Sequence, residues 1–250
     1  AMDTAIASTV LGDFNDASLS HYGITSRFFM KDGKYMVHTE GPDGKMQDYQ
    51  VDYVFGIRPL QQYLVPFPGG RYQCLPLCWD TRPREEGGQR WFHIYQDERI
   101  PPEDVLHWTR VTQNWNYMCS ECHSTNLHKN YDYETKTYNT VWDEIDVSCE
   151  ACHGPGSRHL EWANLPEGSR VFDPDMGLVL RTSGMTPKQY IEACAPCHSR
   201  RTSFGVNDHR SNEYYNNHQP QLITPPIYYK DGQIDALHGY NTLLIICSIN

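Results

Sequence analysis

Three short segments of this 250-residue chain share the pattern Cys-x-x-Cys-His, and this repeated pattern strongly limits what the chain can fold into. The segments are Cys119–His123, Cys149–His153 and Cys194–His198. Two cysteines three positions apart lie on one side of a helical turn, so both sulfurs can bond to the vinyl groups on one edge of a porphyrin. The histidine that follows can then place a ring nitrogen on the iron. The pattern therefore predicts three covalently attached haems c.

The motifs also name the residues that would hold these haems. The predicted thioether cysteines are Cys119, Cys122, Cys149, Cys152, Cys194 and Cys197, and the predicted proximal iron ligands are His123, His153 and His198. Zinc is the main alternative, because zinc ribbons and fingers also use Cys-x-x-Cys pairs. Zinc does not require a histidine directly after the second cysteine, however, and three pairs do not divide into four-ligand sites. Thioredoxin-like chemistry needs a single such motif rather than three.

A second set of histidines could fill the other axial position of each iron. His159 is the best candidate, because Gly154-Pro155-Gly156 should end the motif helix, allow the backbone to approach a ring, and let a short helix carrying His159 begin. A second histidine favours a low reduction potential, whereas methionine raises it. The other candidate distal ligands are His107, His93, His128 and His218.

Three cysteines lie outside the motifs, namely Cys74, Cys78 and Cys247. In a straight strand the α-carbons of Cys74 and Cys78 would be too far apart for a disulfide, although a bend at Pro76 could bring them together. Buried free thiols are the preferred interpretation of this pair.

The first part of the chain has the alternation and turn residues of β-strands. Asp32-Gly33 and Asp43-Gly44 are hairpin turn signals, and they predict an antiparallel meander. The predicted strands are Arg27–Met30, Tyr35–His38, Gln47–Phe55, Arg71–Leu75 and Trp91–Tyr95.

Strand alternation becomes weak after Pro101-Pro102. Thr186, Pro187 and Gln189 form a capping-box pattern, which predicts a helix that runs into the third motif. We therefore predict an α+β fold in three parts. These are a β-rich region at 1–103, a haem-wrapped, mostly helical and irregular trihaem region at 104–210, and an irregular tail at 211–250.

The composition excludes some classes of partner. Lysine and arginine number 21 against 31 acidic residues, giving a net charge of -10, so a nucleic-acid partner is not expected. An acidic surface could instead steer a basic protein partner. Hydrophobic residues make up 39%, a low value that the apolar faces of haem would offset.

Neither end of the chain carries a membrane or targeting signal. The run Leu243–Cys247 is too short for a transmembrane segment. The first residues lack a basic and then apolar stretch, so we expect either that a signal peptide has been removed or that the chain is a fragment.

Several longer strings resemble one known group of proteins. They are Val10–Asn15, Pro59–Leu64, Gly87–His93, Asn114–Cys119 and Cys149–His159. On these residues the chain resembles bacterial multihaem cytochromes c of the group that includes the tetrahaem cytochrome of ammonia oxidisers and hydroxylamine oxidoreductase. The likeness is strongest to the subgroup with C-terminal tetratricopeptide repeats. It implies covalent haem, export and electron transfer, and it supports His159 as an axial ligand.

The chain departs from that subgroup at both ends. Similar proteins carry one more haem motif before this region, another near Asp231, and then the repeats, and this sequence contains none of these. The resemblance therefore predicts a fragment, a shortened relative or one piece of an assembly.

Electron transfer by a non-enzymatic carrier is the favoured function. One alternative is a haem enzyme acting on a small nitrogen compound, although the many histidines argue against an open iron position. The other is a subunit of a haem-lined conductive filament, whose partners would be further copies of the chain or additional multihaem subunits. A simple carrier would meet redox proteins. Because haem c is attached outside the cytoplasm, we expect a periplasmic or extracellular location.

Overall fold

The computed structural model describes residues 2–170, 172–204, 214–222 and 224. The chain forms two compact units, which we call unit 1 (residues 1–123 and 129–141) and unit 2 (residues 124–128 and 142–250). Several sheets and a few short helices make a mixed α+β protein, as the sequence predicts. The haem-wrapped character of 104–210 stays a prediction, and so does the three-part division. Most of the predicted tail at 211–250, with Cys247, lies outside the described residues.

Unit 1 is dominated by strands. They are β1 (Met2–Thr4), β2 (Ala17–His21), β3 (Ile24–Lys31), β4 (Lys34–Glu40), β5 (Met46–Gln50), β6 (Tyr53–Phe55), β7 (Leu60–Phe67), β8 (Arg71–Cys74), β9 (Leu77–Asp80), β10 (Arg90–His93), β11 (Tyr131–Asp132) and β12 (Thr137–Tyr138). Two helices, α1 (Trp115–Met118) and α2 (Ser120–His123), and two 3-10 turns at Arg84–Glu86 and Val111–Gln113 complete its described elements.

A four-stranded antiparallel meander, in the order β2-β3-β4-β5, confirms the predicted hairpins. Asp32 and Gly33 have φ of 51° and 74°, the positive values that a two-residue turn between paired strands requires. Gly44 lies in the next turn, between β4 and β5.

The predicted single strand Gln47–Phe55 is wrong. It is divided at Val51 and Asp52, because β5 ends the meander whereas β6 pairs with β1 and β7 in a second, six-stranded sheet. Val51 N–H donates to Tyr35 O at 2.9 Å, and Asp52 N–H donates to Leu64 O at 3.0 Å, so adjacent residues bond to different sheets. The local alternation continues through this point and gives no sign of the switch.

Aromatic side chains of both sheets share the core of unit 1. The rings of Phe28 (β3) and Trp91 (β10) stack at 3.5 Å between centroids, with Phe14 and Tyr63 packed edge-on nearby. Trp91 is 6% exposed, and its Nε1–H donates to Asp13 O at 3.0 Å. The burial of these large rings stabilises the contact of the two sheets.

Unit 2 contains short helices joined by loops. Its described elements are α3 (Cys149–His153), α4 (Ser157–Ala163), α5 (Pro187–His198), α6 (Tyr214–Asn217), β13 (Arg201–Ser203), β14 (His218–Pro220) and a 3-10 turn at Glu167–Ser169. The capping box of α5 is confirmed. Gln189 N–H donates to Thr186 Oγ1, Thr186 N–H donates to Gln189 Oε1, and Pro187 occupies the first turn.

Candidate functional site

The first motif lies in unit 1 on two consecutive short helices. The side chain of Asn114 caps α1 by accepting the N–H of Tyr117 at 2.9 Å. Cys119 separates the two helices, and α2 contains Cys122 and His123. The fold therefore presents the motif on helical turns, as the attachment of two sulfurs to one ring edge requires.

Asn116 anchors this motif to the sheet, a role that the sequence did not predict, although Asn116 lies within the Asn114–Cys119 string of the family resemblance. Its side chain is 0% exposed, its Oδ1 accepts Tyr72 N–H at 2.8 Å, and its Nδ2 donates to Gly70 O at 3.2 Å and Thr140 Oγ1 at 2.9 Å. Its main-chain oxygen accepts the hydroxyl of Ser120 at 2.8 Å. Hydrogen bonds of the Asn116 side-chain amide thus hold helix α1 against β8 and the residue before it.

Replacing Asn116 by alanine should lower the free energy of unfolding of unit 1 by about 1–3 kcal/mol, because buried main-chain groups lose their partners. Urea denaturation followed by circular dichroism measures this loss. Asn139→Ala, at an exposed position in the hairpin of β11 and β12, is the matched control and should change stability by less than about 0.5 kcal/mol. Equal effects in the two variants would contradict the anchoring role.

The first motif begins at a buried cysteine, and its second cysteine and its histidine are half-buried. Cys119 is 2% exposed, and burial raises the pKa of its thiol well above the usual value. Burial lowers the pKa of His123, whose ring lies 5.8 Å from the ring of Phe55. Neutral imidazole is the form that binds iron, so this environment favours a ligand role for His123.

The second motif forms α3 in unit 2, and its histidine is held by the backbone. His153 Nδ1 lies 2.8 Å from Leu180 O, and Leu180 N–H donates back to His153 O at 3.1 Å. A carbonyl oxygen can only accept, so Nδ1 carries the proton and Nε2 keeps its lone pair. Metal-binding histidines have this arrangement, with the second ring nitrogen donating to a carbonyl. Cys149 and Cys152 are exposed.

His159 shows the same arrangement on α4. As predicted, the motif helix ends at His153, and a new helix that carries His159 begins at Ser157. His159 Nδ1 donates to Met176 O at 2.7 Å, and its ring stacks on Trp162 at 6.0 Å. Its Nε2 is therefore also the nitrogen that could coordinate iron, and His159 stays the first candidate for a distal ligand.

The third motif ends α5. Glu192, Ala195 and Pro196 form the buried face of this helix, whereas His198 is exposed and the two motif cysteines are half-buried. Burial raises the pKa of Cys194, and the nearby Cys152 adds to the effect. The second and third motifs thus both belong to unit 2.

The four other predicted distal ligands fall into different environments. His218 is 2% exposed, stacks on Tyr214, and donates Nδ1–H to Tyr214 O at 3.2 Å, so it has the same tautomer as His159. His128 is exposed. His93 and His107 line a cavity of about 40 Å³ in unit 1 together with His21, whose ring stacks on His93 at 3.9 Å.

The tautomers of His93 and His107 are not fixed by their partners. The Nδ1 atom of His107 contacts the hydroxyl of Thr109, and that of His93 contacts both the N–H and the oxygen of Tyr95. The Thr109 hydroxyl can donate or accept, whereas the N–H of Tyr95 can only donate and its oxygen can only accept, so either tautomer of each ring finds a partner. Burial lowers the pKa of both imidazoles to about 4.

Cys74 and Cys78 are buried free thiols, which confirms the preferred interpretation of this pair. The Nε2 of Gln62 donates to Cys74 Sγ at 3.3 Å, and burial raises the pKa of both thiols. They are protonated near neutral pH and are shielded from reagents.

One comparison with known proteins gave a match. A family model described as cytochrome c554 and c-prime matches residues 96–154, a segment that includes the first two motifs. This match supports a c-type cytochrome. Searches of curated proteins and of solved structures found no match.

The described residues are compatible with the haem of a c-type cytochrome. Among the described ranges, no three or more His, Cys, Asp or Glu side chains form a group that could hold a metal ion by themselves. A porphyrin supplies four nitrogens itself, so one or two histidines per iron are enough. Apolar side chains that are more than half exposed occur near the unit 2 motifs, as the faces of a macrocycle require: Leu160, Tyr190 and Ile191 are near in sequence, and Val179 lies against Gly154.

Among the described residues, no helix is both long enough and apolar enough to cross a bilayer.

Proposed function

We propose that this c-type cytochrome carries three covalently attached haems c and transfers electrons between redox proteins in the periplasm or outside the cell. The family match indicates electron transfer by a haem protein. The observation that carries the finer proposal is the geometry of the second motif, where His153 donates Nδ1–H to Leu180 O and directs a basic Nε2 away from the backbone. The sequences of the other two motifs follow the same pattern.

The residues of each motif would have separate tasks. The six motif cysteines would hold the porphyrin edges as thioethers, and His123, His153 and His198 would be the proximal ligands. His159 would be the first distal ligand, with His218 next because its Nδ1 also donates to a carbonyl. His93, His107 and His128 stay as further candidates. When bound, haem c supplies an iron that takes up and gives back one electron without proton chemistry.

The protein would contribute the spacing and the surface. The second and third motifs both lie in unit 2, so their two proposed haems would belong to one compact unit, which favours electron transfer between them. The net charge of -10 would attract a basic redox partner, and such encounters are generally weak and short-lived.

Intact mass spectrometry combined with a pyridine haemochrome spectrum tests the proposal. We expect the mass of the polypeptide plus three haems, and three haems per chain by absorbance. A mass equal to the bare polypeptide would overturn the proposal. A mass that corresponds to two haems would restrict the proposal to the two motifs that carry them.

A further inference from the structure

One loop of unit 2, residues 173–180, accepts hydrogen bonds from the imidazoles of both His153 and His159. Met176 O accepts Nδ1–H of His159 at 2.7 Å, and Leu180 O accepts Nδ1–H of His153 at 2.8 Å. The two rings are therefore oriented by two peptide groups only four residues apart. Any change in the path of this loop would therefore change the hydrogen bonds that orient both imidazole rings.

Asp173 determines the path of this loop. Its Oδ1 accepts Asp175 N–H at 2.9 Å and its Oδ2 accepts Gly177 N–H at 2.8 Å, while its main-chain oxygen accepts Met176 N–H at 3.1 Å. These three hydrogen bonds surround the peptide group between Met176 and Gly177, whose oxygen accepts the hydrogen bond from His159. The two main-chain N–H donors also hold the pKa of the Asp173 carboxyl below its usual value, so it is charged near neutral pH.

Two glycines let the loop lie against the helices that carry the histidines. Gly177 has a φ of 74°, and a β-carbon there would collide with Arg158 O at the start of α4. Gly154 has a φ of 71°, and a β-carbon there would press on the side chain of Val179. The loop is thus in direct contact with both histidine-bearing segments and has little room to shift.

We propose that Asp173 is a positioning residue that sets the orientation and basicity of His153 and His159 through the carbonyl groups of this loop. The inference rests on the proposed haem sites. A hydrogen bond from Nδ1 to a carbonyl makes Nε2 a stronger electron donor, and a stronger donor favours the oxidised state of the iron. One half-buried aspartate would in this way adjust the reduction potential of every iron that these two imidazoles bind.

The test compares Asp173→Ala with Asp175→Ala in the full-length haem protein. Asp175 is exposed and carries the same charge, and its side chain does not hold the Met176 peptide. In Asp173→Ala we expect the oxidation equilibrium of at least one haem to shift toward the reduced form by about threefold to tenfold, where tenfold equals about 59 mV. Spectroelectrochemical titration measures the shift, and the low-spin EPR g-values should change with it. Asp173→Asn keeps one acceptor oxygen and should give an intermediate shift.

Each outcome decides for or against the role of Asp173. Unchanged potentials and g-values in a fully loaded Asp173→Ala protein would overturn it, and so would an equal shift in Asp175→Ala, which would indicate a simple charge effect. If Asp173→Ala does not fold, the nearly isosteric Asp173→Asn decides by the same two readouts. A wild-type protein without haem would instead overturn the proposed function, which separates the two failures.

Discussion

Replacing Cys149 and Cys152 together by alanine should remove one of three haems and leave the other two attached. Both thiols are exposed, so their loss should cost haem attachment without opening a core. The expected readouts are a loss of one haem mass from the intact protein and a fall of about one third in haemochrome absorbance per chain, from the three motifs.

The matched control is the double variant Cys74→Ala and Cys78→Ala. It removes two thiols that lie outside the motifs and are buried in unit 1, so the protein should keep all its haems and lose only stability. Retention of three haems after loss of Cys149 and Cys152 would show that the second motif is not an attachment site. Loss of haem in the control would show that Cys74 or Cys78 takes part in attachment.

The second large effect is expected in the core of unit 1. Trp91→Ala should reduce the free energy of unfolding by about 3–5 kcal/mol, because it removes the ring stacked on Phe28 and leaves a cavity between the two sheets. The lost indole also leaves Asp13 O without its donor. Denaturation in urea, followed by the far-ultraviolet signal of the strands, measures the change.

Tyr133→Ala provides the control for the loss of an aromatic ring. Tyr133 is 84% exposed, so this variant should change stability by less than about 0.5 kcal/mol. A cost below about 1 kcal/mol for Trp91→Ala would contradict the central place of this ring in the core.

Features with a local signal in the sequence could be predicted well. The capping box at Thr186 and Gln189, the turn at Asp32-Gly33 and the end of α3 before Gly154 all depend on residues within a few positions of one another. The haem motifs also rest on a fixed local spacing, but their role as three attachment sites stays a prediction.

Features that depend on distant partners could not be predicted. The division of Gln47–Phe55 between two sheets is determined by β4 and β7, not by the alternation within the segment. The oxygens that orient His153 and His159 belong to peptide groups, which exist at every position and so carry no signature. Asn116 and Asp173 act through such main-chain partners, and their side chains alone indicate no special role.

The unequal exposure of the motif thiols has a consequence for how the protein is made. Cys119 is 2% exposed in folded unit 1, whereas Cys149 and Cys152 are open to solvent. A ligase cannot reach a sulfur shielded to this degree, so we expect the proposed first haem to be joined to the chain before the sheets of unit 1 close. The second motif stays accessible after closure. Haem attachment would thus have to precede folding at the first motif, whereas at the second motif attachment and folding could occur in either order.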